Sequence, residues 1–384
     1  MNEYRAGNCI ELLHCGDEYF PALEAAIDSA QREIYLETYI FADDPSGRRI
    51  AHALIRAASR GVVVRAIADG FGSRGFAGKI FNEMAANGVR VAIYRPEPRW
   101  FNFSRNRLRR LHRKLAVIDA SVAFVGGINI IDDLNGLDEP PPRFDFAVRI
   151  EGPLLNDIYA SAHRLWLVLN WRTLRHLRRE PLIFEPAPQP CGSQVAAFVT
   201  RDNFRSRRDI ERGYLLAILS AREEIIIANA YFLPGHRFRR ALLRAVRRGV
   251  RVRLMLQGKV EYMLMHYATR ALYGKLLEAG VEVIEYHGSF LHAKVAVVDR
   301  EWATVGSSNI DPFSLWLARE ANVFVRDREF AERLHGHLER AIAEGARRVE
   351  RERWSERSWL DRGLTWMFYG VVRRLLGLIG YADR

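Results

Sequence analysis

The chain has 384 residues, 49% of them hydrophobic, and carries a net charge of +12 with a pI near 9.9. That size buries a large core in two domains or two fused lobes, and the charge suits an anionic partner, either nucleic acid or an anionic membrane surface. Cys9, Cys15 and Cys191 are too few and unpatterned for a disulfide framework or zinc site, and no apolar run reaches the roughly 20 residues that cross a bilayer.

Ala26-Ile27-Asp28-Ser29-Ala30 reads as the end of an amphipathic helix, which feeds a strand at Glu33-Ile34-Tyr35-Leu36 and stops at Tyr39-Ile40-Phe41. A helix over 47–59 follows. Gly61 after its last turn, with Val62, Val63 and Val64 behind it, signals a helix stop and the next strand. Asn87-Gly88-Val89-Arg90-Val91 repeats that step. Trp100–Leu111 is aromatic and basic, which suits lipid, stacked bases or a loop folded back on the core.

Next comes His112-Arg113-Lys114-Leu115-Ala116-Val117-Ile118-Asp119, then Gly126-Gly127-Ile128-Asn129. Only aliphatic residues separate Lys114 from Asp119, so the spacing predicts a buried strand with His112 and Lys114 at one end. Pro140-Pro141-Pro142 reads as a surface loop, since 144–150 resumes as a strand. The proline-rich stretch 178–190 reads as a connector, dividing a lobe over 1–185 from a second over 186–350.

The second lobe repeats the first. Ala217–Ala221 feeds Glu224–Ile227 and ends in Ala230-Tyr231-Phe232; a helix over 236–247 precedes Gly249, and Ala279-Gly280-Val281-Glu282-Val283 follows. His292-Ala293-Lys294-Val295-Ala296-Val297-Val298-Asp299 and Gly306-Ser307-Ser308-Asn309 keep the polar offsets of the first copy. Only Trp100–Leu111 lacks a counterpart. The last segment, 351–384, crowds Trp354, Trp359, Leu364, Trp366, Met367 and Val371 between arginines, which suits an amphipathic helix at a membrane interface; docking on the protein's own core is the alternative. The expected fold class is α/β: two similar lobes, each a mixed sheet flanked by helices, related by a pseudo-twofold axis with the active site at the seam.

Two facing imidazoles can divide a phosphodiester exchange. One attacks phosphorus; the other protonates the departing oxygen and then deprotonates the incoming hydroxyl. The candidate catalytic set is therefore His112, Lys114 and Asp119 with His292, Lys294 and Asp299, the lysines supplying charge to phosphate oxygens. Asp119 and Asp299 sit at the far strand ends and are expected to be buried and structural. Asn129, Asn309, Ser307 and Gly127 are candidates for holding phosphate, and Glu320 and Asp145 for orienting the imidazoles. The chemistry calls for no metal or cofactor. His335-Gly336-His337 is expected on a helix surface.

The H-x-K-x-x-x-x-D octets with their trailing Asn resemble the signature of the phospholipase D superfamily, in a two-copy form covering nearly the whole chain. Glu37-Thr38-Tyr39-Ile40-Phe41, Asp69-Gly70, Arg110–Lys114, Gly306–Pro312 and Arg319-Glu320-Ala321-Asn322 are similar to the short bacterial cardiolipin synthases without N-terminal membrane helices. Phe313 and Ala318 depart from that pattern, where relatives carry Arg and Asn. The resemblance implies phospholipase D-like lobes. It also implies transfer of a phosphatidyl group to phosphatidylglycerol through a phosphohistidine, with His112 as nucleophile and His292 as acid and base. A hydrolytic phospholipase D, a metal-independent nuclease and a non-catalytic lipid-binding protein are the alternatives. The expected partners are phosphatidylglycerol, a second phospholipid and an anionic membrane, in preference to nucleic acid. With no signal-peptide pattern in residues 1–30, the expected place is peripheral, on the cytoplasmic side of the cell membrane.

Overall fold

A computed structural model describes residues 3–74, 77–96, 109–132, 142–173, 188–202, 206–311, 318–355 and 359–378. The first lobe contains β1 (Arg5–His14), α1 (Cys15–Ser29), β2 (Glu33–Thr38), α2 (Pro45–Ser59), β3 (Val63–Asp69), α3 (Ala77–Ala86) and β4 (Arg90–Tyr94). It continues with β5 (Lys114–Ile118), β6 (Val122–Gly126), β7 (Phe146–Glu151) and α4 (Leu155–Thr173). The second lobe has β8 (Gln194–Arg201), α5 (Asp209–Ser220), β9 (Glu224–Asn229), α6 (His236–Arg247), β10 (Arg251–Gln257), α7 (Met263–Arg270), α8 (Tyr273–Glu278) and β11 (Glu282–Tyr286). Then come β12 (Lys294–Val298), β13 (Trp302–Gly306), β14 (Glu320–Arg326), α9 (Arg328–Gly345), β15 (Ala346–Arg348), α10 (Arg351–Ser355) and α11 (Trp359–Leu378).

Among the described residues the strands form one sheet in the order β15-β11-β10-β9-β12-β13-β14-β8-β1-β7-β6-β5-β2-β3-β4. Away from β15 the order reads the same from both ends, so the repeat seen in the sequence is a repeat of topology. Each lobe runs three parallel strands, β2-β3-β4 or β9-β10-β11, into an antiparallel set. The lobes join edge to edge where β1 pairs with β8, across a register shift between Arg5 and Asn8. Periodicity gave no sign of these two joining strands.

The aliphatic run in each octet follows from burial on both faces. Leu115, Val117, Val295 and Val297 enter a central cluster shared by both lobes, with α4 and α9 packed into it. Ala116 and Ile118 enter the cluster under α1–α3, whereas Ala296 and Val298 enter the one under α5–α8. Strand alternation sends successive side chains to opposite faces, so a strand covered twice must be apolar throughout. Gly61 and Gly249 end α2 and α6 at φ +88° and +90°, a left-handed conformation that costs glycine little.

Some expectations change. Phe144 belongs to no strand of its own lobe; it bridges to Leu291 of the other. His335 is buried, not on the surface, and lies 2.8 Å from Glu224 in a network with Arg253 and Glu339. His337 is half-buried against His14 and Phe146. Glu224, His335 and Glu339 have metal-ligand spacing, but the Arg253 guanidinium already occupies their midst. The expected lobe boundary at 185/186, Trp100–Leu108 and Phe313 lie outside the described residues.

Candidate active site

Two short cross-lobe ladders build the site. The His112 N–H donates to the Arg319 carbonyl (2.9 Å) and the Arg319 N–H to the Arg110 carbonyl (2.7 Å). In the mirror position, the His292 N–H donates to the Phe144 carbonyl and the Phe144 N–H to the Phe290 carbonyl, both at 2.9 Å. Each motif histidine thus leans on the segment that leads into the other lobe's carboxylate. Asp69 and Gln257 hold the preceding residues, accepting from the N–H groups of Leu111 (2.8 Å) and Leu291 (3.2 Å).

The side chains cross in consequence. His112 Nδ1 lies 2.9 and 3.2 Å from the carboxylate oxygens of Glu320, in the second lobe. His292 Nδ1 lies 2.5 Å from Asp145 Oδ2, in the first. A carboxylate accepting the Nδ1–H fixes the tautomer and leaves Nε2 available as nucleophile or base. Both imidazoles are 17% exposed and line one cleft of about 290 Å3, together with Asn129, Asn309, Asp145 and Tyr39. Neither copy of the motif makes this site alone.

Electrostatics separate the two histidines. Burial lowers the His112 pKa, with Glu320 opposing. Burial and then the Lys294 ammonium, 2.7 Å from His292 Nδ1, push His292 down to about 4. Burial also brings Lys114 down to about 7 and lowers Lys294. Burial acts to raise Asp145, but Lys294 and His292 outweigh it and hold the carboxylate below its usual range. Desolvation penalises every charge here, and the opposite charges of Glu320 and Asp145 oppose it at the lysines.

Apart from Asp119 and Asp299, the expected site residues come together around the cleft, three of the placements differing from expectation. Both lysines are buried beneath the cleft lining, and each amine donates to the carbonyl of its own histidine, at 2.6 Å for Lys114. Ser307 is not positioned on the cleft wall: its hydroxyl donates to Glu320 Oε2 (2.5 Å) and accepts from the Ala321 N–H (3.0 Å). Gly127 makes room, since a Cβ there would stand 2.2 Å from Asp145 Oδ1. Asn129 lines the cleft and accepts from the Ile40 N–H (3.2 Å), while Asn309 lines it with a buried Oδ1 that no described residue satisfies.

Asp119 and Asp299 lie at the other ends of β5 and β12, away from the cleft, so the fold does not bring them to the two histidines. They are also only half-buried. Each occupies the first central position of a hairpin turn with two positive φ angles, +50° and +46° at Asp119-Ala120, +52° and +53° at Asp299-Arg300. Short Asp side chains tolerate that conformation. The Asp119 carboxylate accepts from the N–H groups of Gln31, Arg32 and Glu33, and that of Asp299 from Arg222, Glu223 and Glu224.

The structure adds a wall the motif did not announce. Arg143 pairs with Glu261 across the lobes at 3.1 Å, and the Tyr231 hydroxyl donates to Glu261 at 2.7 Å. The available signal was position: Arg143 precedes Asp145 by two, and Tyr231 occupies the repeat position of Ile40.

A family profile described as "Cardiolipin synthase, PLD-like domain" matches residues 23–138 and 214–342. The chain is 42% identical to a protein named cardiolipin synthase B from Escherichia coli over 387 residues, covering 98% of this chain and 91% of that protein. Cardiolipin synthase B of Salmonella typhi is 39% identical with the same coverage. Among solved structures, phosphatidylserine synthase of Haemophilus influenzae superposes with a TM-score of 0.69 over 97% of this chain and 93% of that one; at 13% identity this likeness concerns the fold.

Proposed function

The chain belongs to the cardiolipin synthase family of phospholipase D-like proteins, and from that premise we propose how its cleft makes cardiolipin. It is a phosphatidyltransferase acting on phospholipids. One imidazole Nε2 attacks the phosphorus of a donor phospholipid, and the other protonates the departing headgroup oxygen, leaving a phosphatidyl group on the first. The second imidazole then takes the proton of a phosphatidylglycerol hydroxyl, which displaces the histidine and yields cardiolipin. With phosphatidylglycerol as donor the leaving group is glycerol. Asn129 and Asn309 offer amides to phosphate oxygens, and the lysines supply positive potential from below. The observation that carries this reading is the pair of imidazoles on one cleft, each held by the opposite lobe's carboxylate.

The resemblance gives the attack to His112. The electrostatics favour the reverse order, since Lys294 beside His292 Nδ1 keeps that ring the more firmly neutral. Trapping of labelled phosphoenzyme in single-turnover reactions decides: label on His112 supports the first order and label on His292 the second.

We place the protein peripherally, on the cytoplasmic side of an anionic membrane. No helix among the described residues is long and apolar enough to cross a membrane. α11 packs on α7, with Phe368 stacked on Tyr267 at 5.3 Å, and leaves Leu364, Trp366, Met367 and Val371 exposed. Exposed Tyr262 and Met263 sit at the start of α7, and Tyr262 lines the cleft, so an interfacial α11 would bring the cleft mouth to the lipid.

The test is mass spectrometry of lipids after incubation with phosphatidylglycerol vesicles. We expect cardiolipin, reduced by about three orders of magnitude or more in His112→Ala and in His292→Ala. Absence of cardiolipin, and of any transfer product with added alcohols, overturns the reading.

A further inference from the structure

A second cavity, of about 390 Å3, lies behind the catalytic cleft, walled by the start of β1, by α4 and by the end of β8. Arg113 and Arg319 line it, and they are the chain neighbours of His112 and Glu320. Alternation sends the His and Glu side chains to the cleft and these two arginines to the opposite face. Arg5, Arg164 and Arg201 complete five guanidinium groups against the carboxylates of Glu3, Asp157 and Asp202.

Not all of that charge is matched. Arg5 spends itself on Asp157, at 2.6 and 3.0 Å, and Arg113 on Glu37. Arg201 is 2% exposed; it donates to the Ala318 carbonyl, while its Nε–H has no partner among the described residues. The Nε–H of Arg319 is likewise without one. Arg164 is exposed on α4 at the cavity wall. Burial lowers Arg201 to about 10, in spite of the pull of Glu320. A buried guanidinium with an unused donor is costly unless an anion completes it.

We propose that this cavity is a second binding site, separate from the catalytic cleft, for a phosphate-bearing anion held by Arg164, Arg201 and Arg319. Guanidinium forks match phosphate oxygens in pairs, and three of them converge on a space large enough for a headgroup. The site is wired to catalysis. The Arg319 carbonyl accepts the His112 N–H, and Arg201 stands opposite Glu320 in the β8–β14 register. A bound anion therefore sits one residue behind both members of the His112–Glu320 pair. The headgroup of an anionic phospholipid and free phosphate share this chemistry.

Calorimetric titration of the full-length chain carrying His292→Ala, which stops turnover, tests the proposal. The separate titrants are inorganic phosphate and dihexanoyl phosphatidylglycerol below its micellar concentration. We expect two-site isotherms for at least one titrant. One site should weaken on the order of tenfold to a hundredfold when Arg164→Glu or, independently, Arg319→Ala is added with an unchanged circular dichroism spectrum. Phosphate alone at that site makes it a free-anion site; tighter binding of the lipid makes it a headgroup site. A single site throughout, or two sites indifferent to both substitutions, overturns it. Because binding is read in a chain that does not turn over, either result stands whichever lipid the cleft converts.

Discussion

The two lobes place histidine, lysine and carboxylate at matching positions, yet they support the carboxylates by opposite means. In the second lobe Glu320 reaches His112 from beneath with the Ser307 hydroxyl bonded to its Oε2. In the first lobe the shorter Asp145 reaches His292, takes its Phe146 N–H at 2.8 Å, and lies against Gly127 at the position equivalent to Ser307. A longer arm needs a prop, whereas a shorter arm brings its own head group down onto the turn and needs space. Serine and glycine at one repeat position are thus two solutions to one geometric demand. Each carboxylate serves the other lobe's histidine, so the difference propagates to the two imidazoles and to their separate charge environments.

The sharpest way to break this comparison is to exchange the supports. Gly127→Ser puts a Cβ 2.2 Å from the Asp145 carboxylate, so we expect transfer activity to fall by about a hundredfold or more, with about 1–3 kcal/mol lost in stability. Ser307→Gly removes a hydrogen bond and adds no clash, and we expect about a tenfold loss. Activity of both variants in detergent-dispersed phosphatidylglycerol, with urea unfolding beside it, checks the order. Equal losses would mean the two supports are interchangeable.

A smaller effect concerns pH. Lys114 sits at about 7, below its ordinary value, so its ammonium is lost as pH rises through neutrality. His292 is down at about 4, so its ring stays neutral well below the ordinary imidazole range. In the order with His292 as nucleophile the rate should therefore hold on the acid side, and loss of the Lys114 ammonium should add a fall above pH 7, approaching tenfold per unit where that ammonium is required. Lys114→Gln should flatten the alkaline limb at a lower plateau. A wild-type profile level from pH 7 to 9 would remove Lys114 from the charge balance of the site.

The smallest effect on turnover is expected where the lobes agree most closely. Asp119→Ala and Asp299→Ala each strip a carboxylate from three backbone N–H donors, for about 2–3 kcal/mol of stability measured by urea unfolding. Turnover per folded molecule should change little. A hundredfold loss of activity at unchanged stability in either variant would return that aspartate to the chemistry.

The sequence by itself determined the repeat, the α/β layering and the residues that gather at the cleft, because matched offsets in two copies survive any folding and an all-aliphatic strand announces burial on both faces. His112, Lys114, His292, Lys294, Glu320 and Asp145 were legible on that ground. Tertiary structure alone decided which carboxylate meets which histidine, since the ladders through Arg319 and Phe144 pair residues about two hundred and about one hundred and fifty positions from their partners. It also buried His335, set Asp119 and Asp299 at the strand ends away from the cleft, and gathered Arg143, Glu261 and the arginines behind the cleft. Those depend on strand alternation and on the joining of β1 to β8, which fix where side chains point; a spacing along the chain fixes only where they start.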